Sequence, residues 1–222
     1  MKSYEEILTK IPLFEGISQE NLLTMLQCLK VQRKSYRKGE MIFREGDSAD
    51  MVGVVLNGCV QIVRDDYYGN RSILATITPP QMFGEAFSCS SVRFFPVGVY
   101  AREDTTVMLL DCRRILGICS NGCAFHSTLI RNLLRNVAEK NLLLNQKIEL
   151  TSKKTTKEKL MAYLLLQAKE HGSNSFTIPC DRQSLADYLG VERSAMSAEI
   201  GKLRDEGYIE VDRRYFRILK RM

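Results

Sequence analysis

Four neighbouring residues in the last third of the chain have types suited to reading DNA. Arg193, Ser194, Ser197 and Ala198 occupy the first turns of a predicted helix. An arginine can donate two hydrogen bonds to O6 and N7 of a guanine. Basic residues beside it are better placed for phosphates, which fix position without reading sequence. The predicted DNA contacts are Arg182, Gln183, Arg193, Ser194, Ser197, Lys202, Arg213 and Arg214.

A second group combines thiols with an imidazole. Cys119, Cys123 and His126 are spaced i, i+4 and i+7, and with Cys112 they could supply four ligands for zinc or iron. However, an Asn-Gly pair between the two cysteines favours a break in the helix, and cysteine is often a small buried apolar residue. We therefore predict no metal site, with metal or thiol redox sensing through these residues as the alternative. The seven cysteines are expected to be free thiols.

The elements that position these residues follow from hydrophobic periodicity. Residues 4–31 show a helical pattern, and from Glu40 to Leu109 apolar residues alternate with a period of two between tight turns. Many short strands in succession predict a small antiparallel barrel or jelly roll. A long helix without Gly or Pro follows from Phe125 to Leu150.

That long helix carries an apolar seam with heptad spacing, which is typical of a dimer helix. A helix packed only on its own domain is the alternative. The seam consists of Ile130, Leu134, Val137, Asn141, Leu144 and Ile148.

A helix-turn-helix is predicted near the end of the chain. Asp181 can cap a helix over 182–188, and Gly190 supplies the positive φ of a tight turn. A second helix over 192–205 is expected to direct Ala195, Met196, Ile200 and Leu203 inward. Two alternating segments within 208–219 then predict a β-hairpin wing.

These elements predict an α+β fold with three parts. Residues 1–120 form an effector-sensing double-stranded β-helix (a jelly roll) with N-terminal helices, residues 121–152 a dimerisation helix, and residues 153–222 a winged helix-turn-helix. The last part holds 14 Lys and Arg against 10 Asp and Glu, whereas residues 1–152 hold 18 against 16. The higher net charge of the shorter part points to an anionic partner.

Composition and motifs exclude several classes of protein. The apolar runs fall far short of the ~20 residues needed to cross a bilayer, and the N-terminus lacks the apolar core of a secretory signal. We therefore expect a cytoplasmic protein with no membrane partner. Neither a Gly-x-Ser-x-Gly elbow nor a phosphate-binding Gly-x-x-x-x-Gly-Lys loop occurs, and the chain is predicted not to be an enzyme.

The chain resembles the CRP/FNR superfamily of bacterial transcription regulators over nearly its whole length. The similar stretches are residues 38–47, 55–60, 83–87 and 185–194. The resemblance implies a cyclic-nucleotide-binding-like β-roll, a homodimer on a palindromic double-stranded operator, RNA polymerase as a partner and a small-molecule effector in the β-roll. Arg193, Ser194 and Ala198 fall where the family places its base contacts. Since the family usually has Arg at the position of Ala198, we expect that the usual half-site is not read.

The resemblance also locates an effector pocket. Members that bind cyclic AMP have Gly-Glu followed, about ten residues later, by Arg-Ser or Arg-Thr, whose Arg neutralises the phosphate. Here Gly84-Glu85 is present, but the later positions are Phe94 to Val97, so a buried phosphate would lack its counter-charge. Arg93 and Arg102 are expected to be surface residues. The predicted pocket residues are Phe83, Gly84, Glu85, Ala86, Phe95 and Val97.

The effector is therefore unknown, and cyclic AMP is not expected. The alternative function is a cyclic-nucleotide-binding sensor module, although it leaves the winged helix-turn-helix unexplained. An iron–sulfur cluster like that of the oxygen-sensing relatives is not expected, because only Cys28 lies in the first fifty residues. A haem would have only His126 and His171 as imidazole ligands.

Overall fold

The structure, a computed structural model, describes residues 4–68, 71–117 and 125–220. The chain divides into two compact units, Met1–Glu139 and Lys140–Met222, and the boundary falls within the long helix. This arrangement of β-roll, long helix and winged helix-turn-helix is the predicted α+β fold.

The first unit is a β-roll with helices at both ends of its sequence. Its helices are α1 (Tyr4–Leu8), α2 (Gln19–Cys28), α3 (Glu85–Ser88), α4 (Cys112–Leu116) and the first part of α5 (His126–Thr151), with a 3-10 turn at Pro12–Phe14. Its strands are β1 (Gln32–Tyr36), β2 (Met41–Phe43), β3 (Met51–Asn57), β4 (Val60–Asp65), β5 (Arg71–Ile77), β6 (Met82–Phe83), β7 (Gly98–Ala101) and β8 (Thr105–Asp111).

The eight strands form two four-stranded antiparallel sheets. One sheet has the order β1-β8-β3-β6 and the other β2-β7-β4-β5. Strand β3 is buried on both faces because alternate residues point into different cores. Val52 and Val54 pack with the helices, whereas Val55 points between the sheets. Gly53 leaves room for the ring of Phe83, whose Cζ would lie 2.0 Å from an added Cβ.

The second unit is built from helices and a small sheet. It contains the end of α5, α6 (Thr156–His171), β9 (Ser175–Thr177), α7 (Arg182–Leu189), α8 (Arg193–Asp205), β10 (Ile209–Asp212) and β11 (Tyr215–Ile218), with the sheet order β10-β11-β9. Helix α6 begins with a reciprocal cap between Thr155 and Glu158. Leu164, Leu185, Met196, Leu203 and Phe216 form the centre of one hydrophobic core.

Candidate nucleic-acid interface and effector region

Local hydrogen bonds fix the geometry of helices α7 and α8. The Asp181 carboxylate accepts a hydrogen bond of 2.8 Å from the backbone N–H of Ser184 and so caps α7. Gly190 ends α7 with φ of +61°, and the N–H of Val191 donates to the carbonyl of Ala186. The chain then re-enters a helix at Arg193. The predicted cap and turn therefore set the two helices at the short spacing of a helix-turn-helix.

Helix α8 separates a buried face from an exposed one. Met196, Ile200 and Leu203 are buried in the core of the second unit. Ala195, which was expected to point inward, is instead exposed. The exposed face also carries the predicted recognition residues Arg193, Ser194, Ser197, Ala198 and Lys202.

Sequence reasoning missed the cap of α8, which is Glu192. Its carboxylate accepts hydrogen bonds from the Ser194 hydroxyl and, at 2.8 Å, from the backbone N–H of Ala195. These hydrogen bonds lower the pKa of Glu192 to about 2, and the bond from the Ser194 hydroxyl has the largest effect. The signal in the sequence is an acidic residue directly before the helix, three positions ahead of Ala195, whose N–H it binds. This signal is weak, because Ser, Thr, Asp and Asn are the usual caps.

The two serines of the recognition face already have partners within the helix. Ser194 donates to Glu192, and the Ser197 hydroxyl donates to the carbonyl of Arg193 at 2.9 Å. Among the described residues, the guanidinium of Arg193 forms no salt bridge. Arg193 is therefore the predicted base-reading residue whose donors are most available.

Two predicted contacts at the start of α7 are partly engaged. Arg182 is half-buried, with its guanidinium carbon 4.9 Å from the centre of the Phe216 ring, and burial lowers its pKa. The Gln183 amide donates to Asp187 at 2.9 Å. Arg182 therefore packs against the core of its own unit.

The other predicted phosphate contacts are exposed cations. The Nζ atom of Lys202 lies 3.7 Å from Oε2 of Glu199. A guanidinium nitrogen of Arg214 lies 3.5 Å from the carbonyl oxygen of Pro179. Arg213 stands at the tip of the wing hairpin with φ of +51°, a conformation that favours glycine or asparagine. The tip of the wing thus presents two adjacent positive charges.

The six residues of the predicted effector pocket lie around the β6–α3 junction and the segment before β7. Gly84 has φ of +83°, and an added Cβ would lie 3.1 Å from the carbonyl oxygen of Met51. Glu85 begins α3 and is only 4% exposed, whereas Ala86 is exposed. Phe83, Phe95 and Val97 are fully buried. The positive φ and the nearby carbonyl therefore favour glycine at position 84 whether or not a ligand binds.

A cluster of aromatic rings occupies this region. Phe95 stacks on Phe43 with ring centres 4.6 Å apart and packs edge-on against Phe87 at 5.9 Å. Phe43 also packs against Phe83 at 5.7 Å. The side chains of Arg93 and Arg102 are exposed. The cluster of Phe43, Phe83, Phe87 and Phe95 is thus apolar, and none of its members carries a charge that could offset a phosphate.

Two surface depressions occur elsewhere in the β-roll. Their volumes are about 570 and 590 Å³. The first is lined by polar residues that include Arg37, Glu40 and Asp104. The second is lined by residues that include Lys10, Arg33 and Pro80. None of the six predicted pocket residues lines either depression.

The long helix α5 changes environment along its length. Leu129 and Leu133 are buried in the core of the first unit, and Val137 packs against that core. Three residues of the predicted seam are largely exposed: Leu134 at 68%, Leu144 at 60% and Ile148 at 62%. Asn141 is also exposed, and Ile130 is half-buried. The first turns of α5 therefore pack on their own unit, and the seam leaves an exposed apolar stripe.

The alternative metal or thiol site is only partly covered by the structure. Cys119 and Cys123 lie outside the described residues. His126 is buried, and its Nε2 lies 2.8 Å from the carbonyl oxygen of Ile115, a contact that requires the proton on Nε2. Within the described part of the chain, no group of three or more His, Cys, Asp or Glu side chains is arranged to hold a metal ion.

Comparison with known proteins gives matches in both units. Residues 33–121 match the cyclic nucleotide-binding domain, and residues 158–222 match the Crp-like helix-turn-helix domain. Within the described residues, no helix is both long and apolar enough to span a membrane.

Curated relatives cover most of the chain. The cyclic AMP receptor protein of Thermus thermophilus is 26% identical over 200 residues, which cover 90% of this chain and 88% of the relative. The transcriptional activator protein FnrA of Stutzerimonas stutzeri is 25% identical over 188 residues, which cover 82% of this chain and 75% of the relative. FnrA is named as a transcriptional activator, and neither name is that of an enzyme, in agreement with the prediction.

A solved structure supports the fold alone. The c-di-GMP responsive global regulator CLP of Xanthomonas campestris aligns with a TM-score of 0.57 over 92% of this chain and 100% of that chain, at 15% identity.

Proposed function

Because this chain belongs to the CRP/FNR family of DNA-binding transcription regulators, we propose that it acts as a homodimer on a two-fold-symmetric operator. An effector sensed in the β-roll changes its affinity for that operator. The bound dimer then acts on RNA polymerase in the cytoplasm.

The observation that carries the DNA-binding part of the proposal is the exposed face at the start of α8. Arg193 lies in the first turn of this helix, and the opposite face is anchored by Met196 and Leu203. A recognition helix meets base edges with its N-terminal residues. With Ser194 and Ser197 already engaged, we assign the main direct base contact to Arg193 and phosphate contacts to Lys202, Arg213 and Arg214.

The exposed stripe of α5 supports the homodimer. Leu134, Leu144 and Ile148 are each at least 60% exposed in one copy of the chain. Their heptad spacing matches a seam against a second copy of the same helix. Burial of such a stripe contributes about 25 cal/mol per Å² of apolar surface. The resulting two-fold symmetry would place the two α8 helices on consecutive major grooves.

We further propose that the effector is not cyclic AMP. The phosphate of a cyclic nucleotide beside Gly84 would face the stacked rings of Phe43 and Phe95. An uncompensated buried charge costs at least several kcal/mol. Titration calorimetry with cyclic AMP and cyclic GMP is expected to give no binding at micromolar concentration. A submicromolar affinity would show that Arg93 or Arg102 moves to supply the charge.

The function is tested by selection from random duplex DNA, followed by affinity measurements on the selected and scrambled sequences. We expect a palindrome whose half-site centres lie about one helical turn apart. The variant Arg193→Ala should lose preference at one position of each half-site. Lys169→Ala, which removes a cation from the last turn of α6, is the matched control and should keep the wild-type preference. Failure to enrich any sequence would contradict the proposal.

A further inference from the structure

Two cysteines in the first unit form a close pair that the predicted DNA and effector sites do not include. The Sγ atoms of Cys89 and Cys112 lie 3.2 Å apart. Cys89 follows α3 and is exposed, whereas Cys112 is the first residue of α4 and is only 1% exposed. The sequence separates them by 23 positions, so only the fold brings them together.

Backbone contacts hold both thiols in place. The N–H of Cys112 donates to the carbonyl of Asp50 at 2.8 Å. The hydroxyl of Ser88, the residue before Cys89, donates to the carbonyl of Met51, also at 2.8 Å. The N–H of Cys89 donates to the carbonyl of Glu85 at 2.9 Å. Because both segments are attached to the same end of β3, the proximity of the thiols is a property of the backbone.

The two thiols have unequal environments, which suits a nucleophile and a resolving group. The hydrogen bond from Cys112 lowers the pKa of Cys89, against the opposing effects of partial burial and of Glu85. The same hydrogen bond raises the pKa of Cys112, and burial of this thiol raises it further. Cys89 is thus the more acidic thiol and also the more accessible one.

We propose that Cys89 and Cys112 are a dithiol modification site that a hydroperoxide oxidises to a disulfide, and that another dithiol reduces back to two thiols by thiol–disulfide exchange. The Cys89 thiolate attacks the peroxide, the O–O bond breaks, and the leaving oxygen takes a proton to give an alcohol or water and a sulfenic acid on Cys89. Cys112 then gives up its proton, its sulfur attacks Sγ of Cys89, and the S–O bond breaks with loss of water. Two thiols supply the two electrons that reduce the peroxide.

The geometry needs little adjustment for this reaction. The sulfurs must approach from 3.2 Å to about 2.05 Å, a movement of about 1.2 Å. The bond would join the end of α3, which follows Gly84-Glu85, to the first residue of α4. An effect of this bond on operator affinity rests on the proposed function, whereas the chemistry of the thiols does not.

The first experiment tests the chemistry on the reduced full-length chain. Treatment with hydrogen peroxide, alkylation of the remaining thiols and peptide mass spectrometry should reveal a Cys89–Cys112 cross-link that dithiothreitol reverses. Cys89 should react at least about tenfold faster than the buried thiol of Cys59. In Cys112→Ser the reaction should stop at a sulfenic acid on Cys89 that dimedone traps, and Cys89→Ser should give neither product.

The matched control is Cys180→Ser, which removes a half-buried thiol from the second unit and should leave the cross-link unchanged. Three results would overturn the proposal: an unreacted Cys89, a Cys89 disulfide with a different cysteine, or a stoichiometric metal ion whose removal is needed before either thiol reacts.

The second experiment compares operator affinity of the reduced and oxidised chain on the selected DNA. A change of about fivefold or more that is absent in Cys112→Ser would support regulation through this pair. A disulfide with no change in affinity would refute that regulatory role. Absence of sequence-specific binding in both redox states would instead refute the proposed function, with the cross-link still present.

Discussion

The two candidate sites differ in how they are built. The proposed DNA-reading face of the second unit lies on one helix, with Arg193, Ser194 and Ser197 exposed within two turns of the cap at Glu192. The predicted effector region of the first unit combines residues from β6, α3 and the segment before β7, and its rings Phe83 and Phe95 both pack against Phe43 of β2. The first site is a surface that one copy of the chain presents to a partner, whereas the second is part of a core.

This difference has a physical consequence for mutation. Removing a side chain from an exposed helix face changes binding and leaves the fold intact, because surface substitutions alter stability by only about 0.5 kcal/mol. Removing a ring from a packed cluster changes stability first, because the cavity that it leaves is only partly filled by relaxation. The following predictions test whether the two regions separate in this way.

The largest expected effect comes from the apolar stripe of α5, on which the proposed binding to a two-fold-symmetric operator depends. Leu134→Asp combined with Ile148→Asp places four charges in the seam of the dimer. Each buried charge costs several kcal/mol, so we expect dimerisation to weaken by about a thousandfold or more and operator binding to be lost. Sedimentation velocity and fluorescence anisotropy measure the two effects.

The control for this double variant is Leu143→Asp. Leu143 is 63% exposed but lies on another side of α5 from the seam, nine positions after Leu134. This variant should remain a dimer. A double variant that still sediments as a dimer would contradict the assignment of the interface.

The next effect concerns the aromatic cluster. Phe95 is 1% exposed, so Phe95→Ala should lower the free energy of unfolding of the first unit by about 3–5 kcal/mol. The neighbouring Phe94 is 60% exposed, and Phe94→Ala should change the free energy of unfolding by less than about 0.5 kcal/mol. Chemical denaturation followed by circular dichroism measures this free energy for both variants. Equal stability of the two variants would mean that Phe95 lines an adaptable pocket.

A smaller effect separates base reading from phosphate contact within the second unit. Arg193→Ala should cost about 1–3 kcal/mol per half-site on the selected operator, with little change on scrambled DNA. Arg213→Ala should weaken binding to both sequences alike and reduce the salt dependence by about one ion per subunit, because a phosphate contact releases a counterion. The measurement is affinity against salt concentration. Equal losses on both sequences for Arg193→Ala would make it a phosphate contact.

The smallest effect tests the cap of α8. The folded-state pKa of Glu192, about 2, lies below its ordinary value of 4.5, so the carboxylate stabilises the fold above pH 4.5 and this contribution is lost as the pH falls through about 2. Glu192→Gln should therefore lower the melting temperature near neutral pH, and the difference from wild type should shrink between about pH 4.5 and 2.

Glu210→Gln provides the control for Glu192→Gln, because it makes the same chemical change on the exposed wing. It should lower the melting temperature near neutral pH by less than Glu192→Gln does, because Glu210 lies on strand β10 and caps no helix. A Glu192→Gln difference that stayed constant down to pH 2 would show that charge plays no part in the cap.

The sequence alone determined the features that depend on neighbours within one or two helical turns. The cap at Asp181, the turn at Gly190 and the exposed face at Arg193 all follow from local hydrogen bonds and from the period of 3.6 residues. Helix α6 is bounded in the same local way, by the reciprocal cap at Thr155 and by Gly172 in the left-handed conformation. The prediction that Ala195 points inward was wrong, because a small residue fits either face of a helix.

The tertiary structure alone decided which distant residues meet. Phe43 and Phe95 stack although 52 positions separate them, and Cys89 approaches Cys112 because both segments attach to one end of β3. The half-burial of Arg182 depends on Phe216 from another element. Such contacts depend on strand order and register, which arise from many long-range pairings at once. An alternating pattern records which face of a strand is buried, but it does not record which side chain lies opposite.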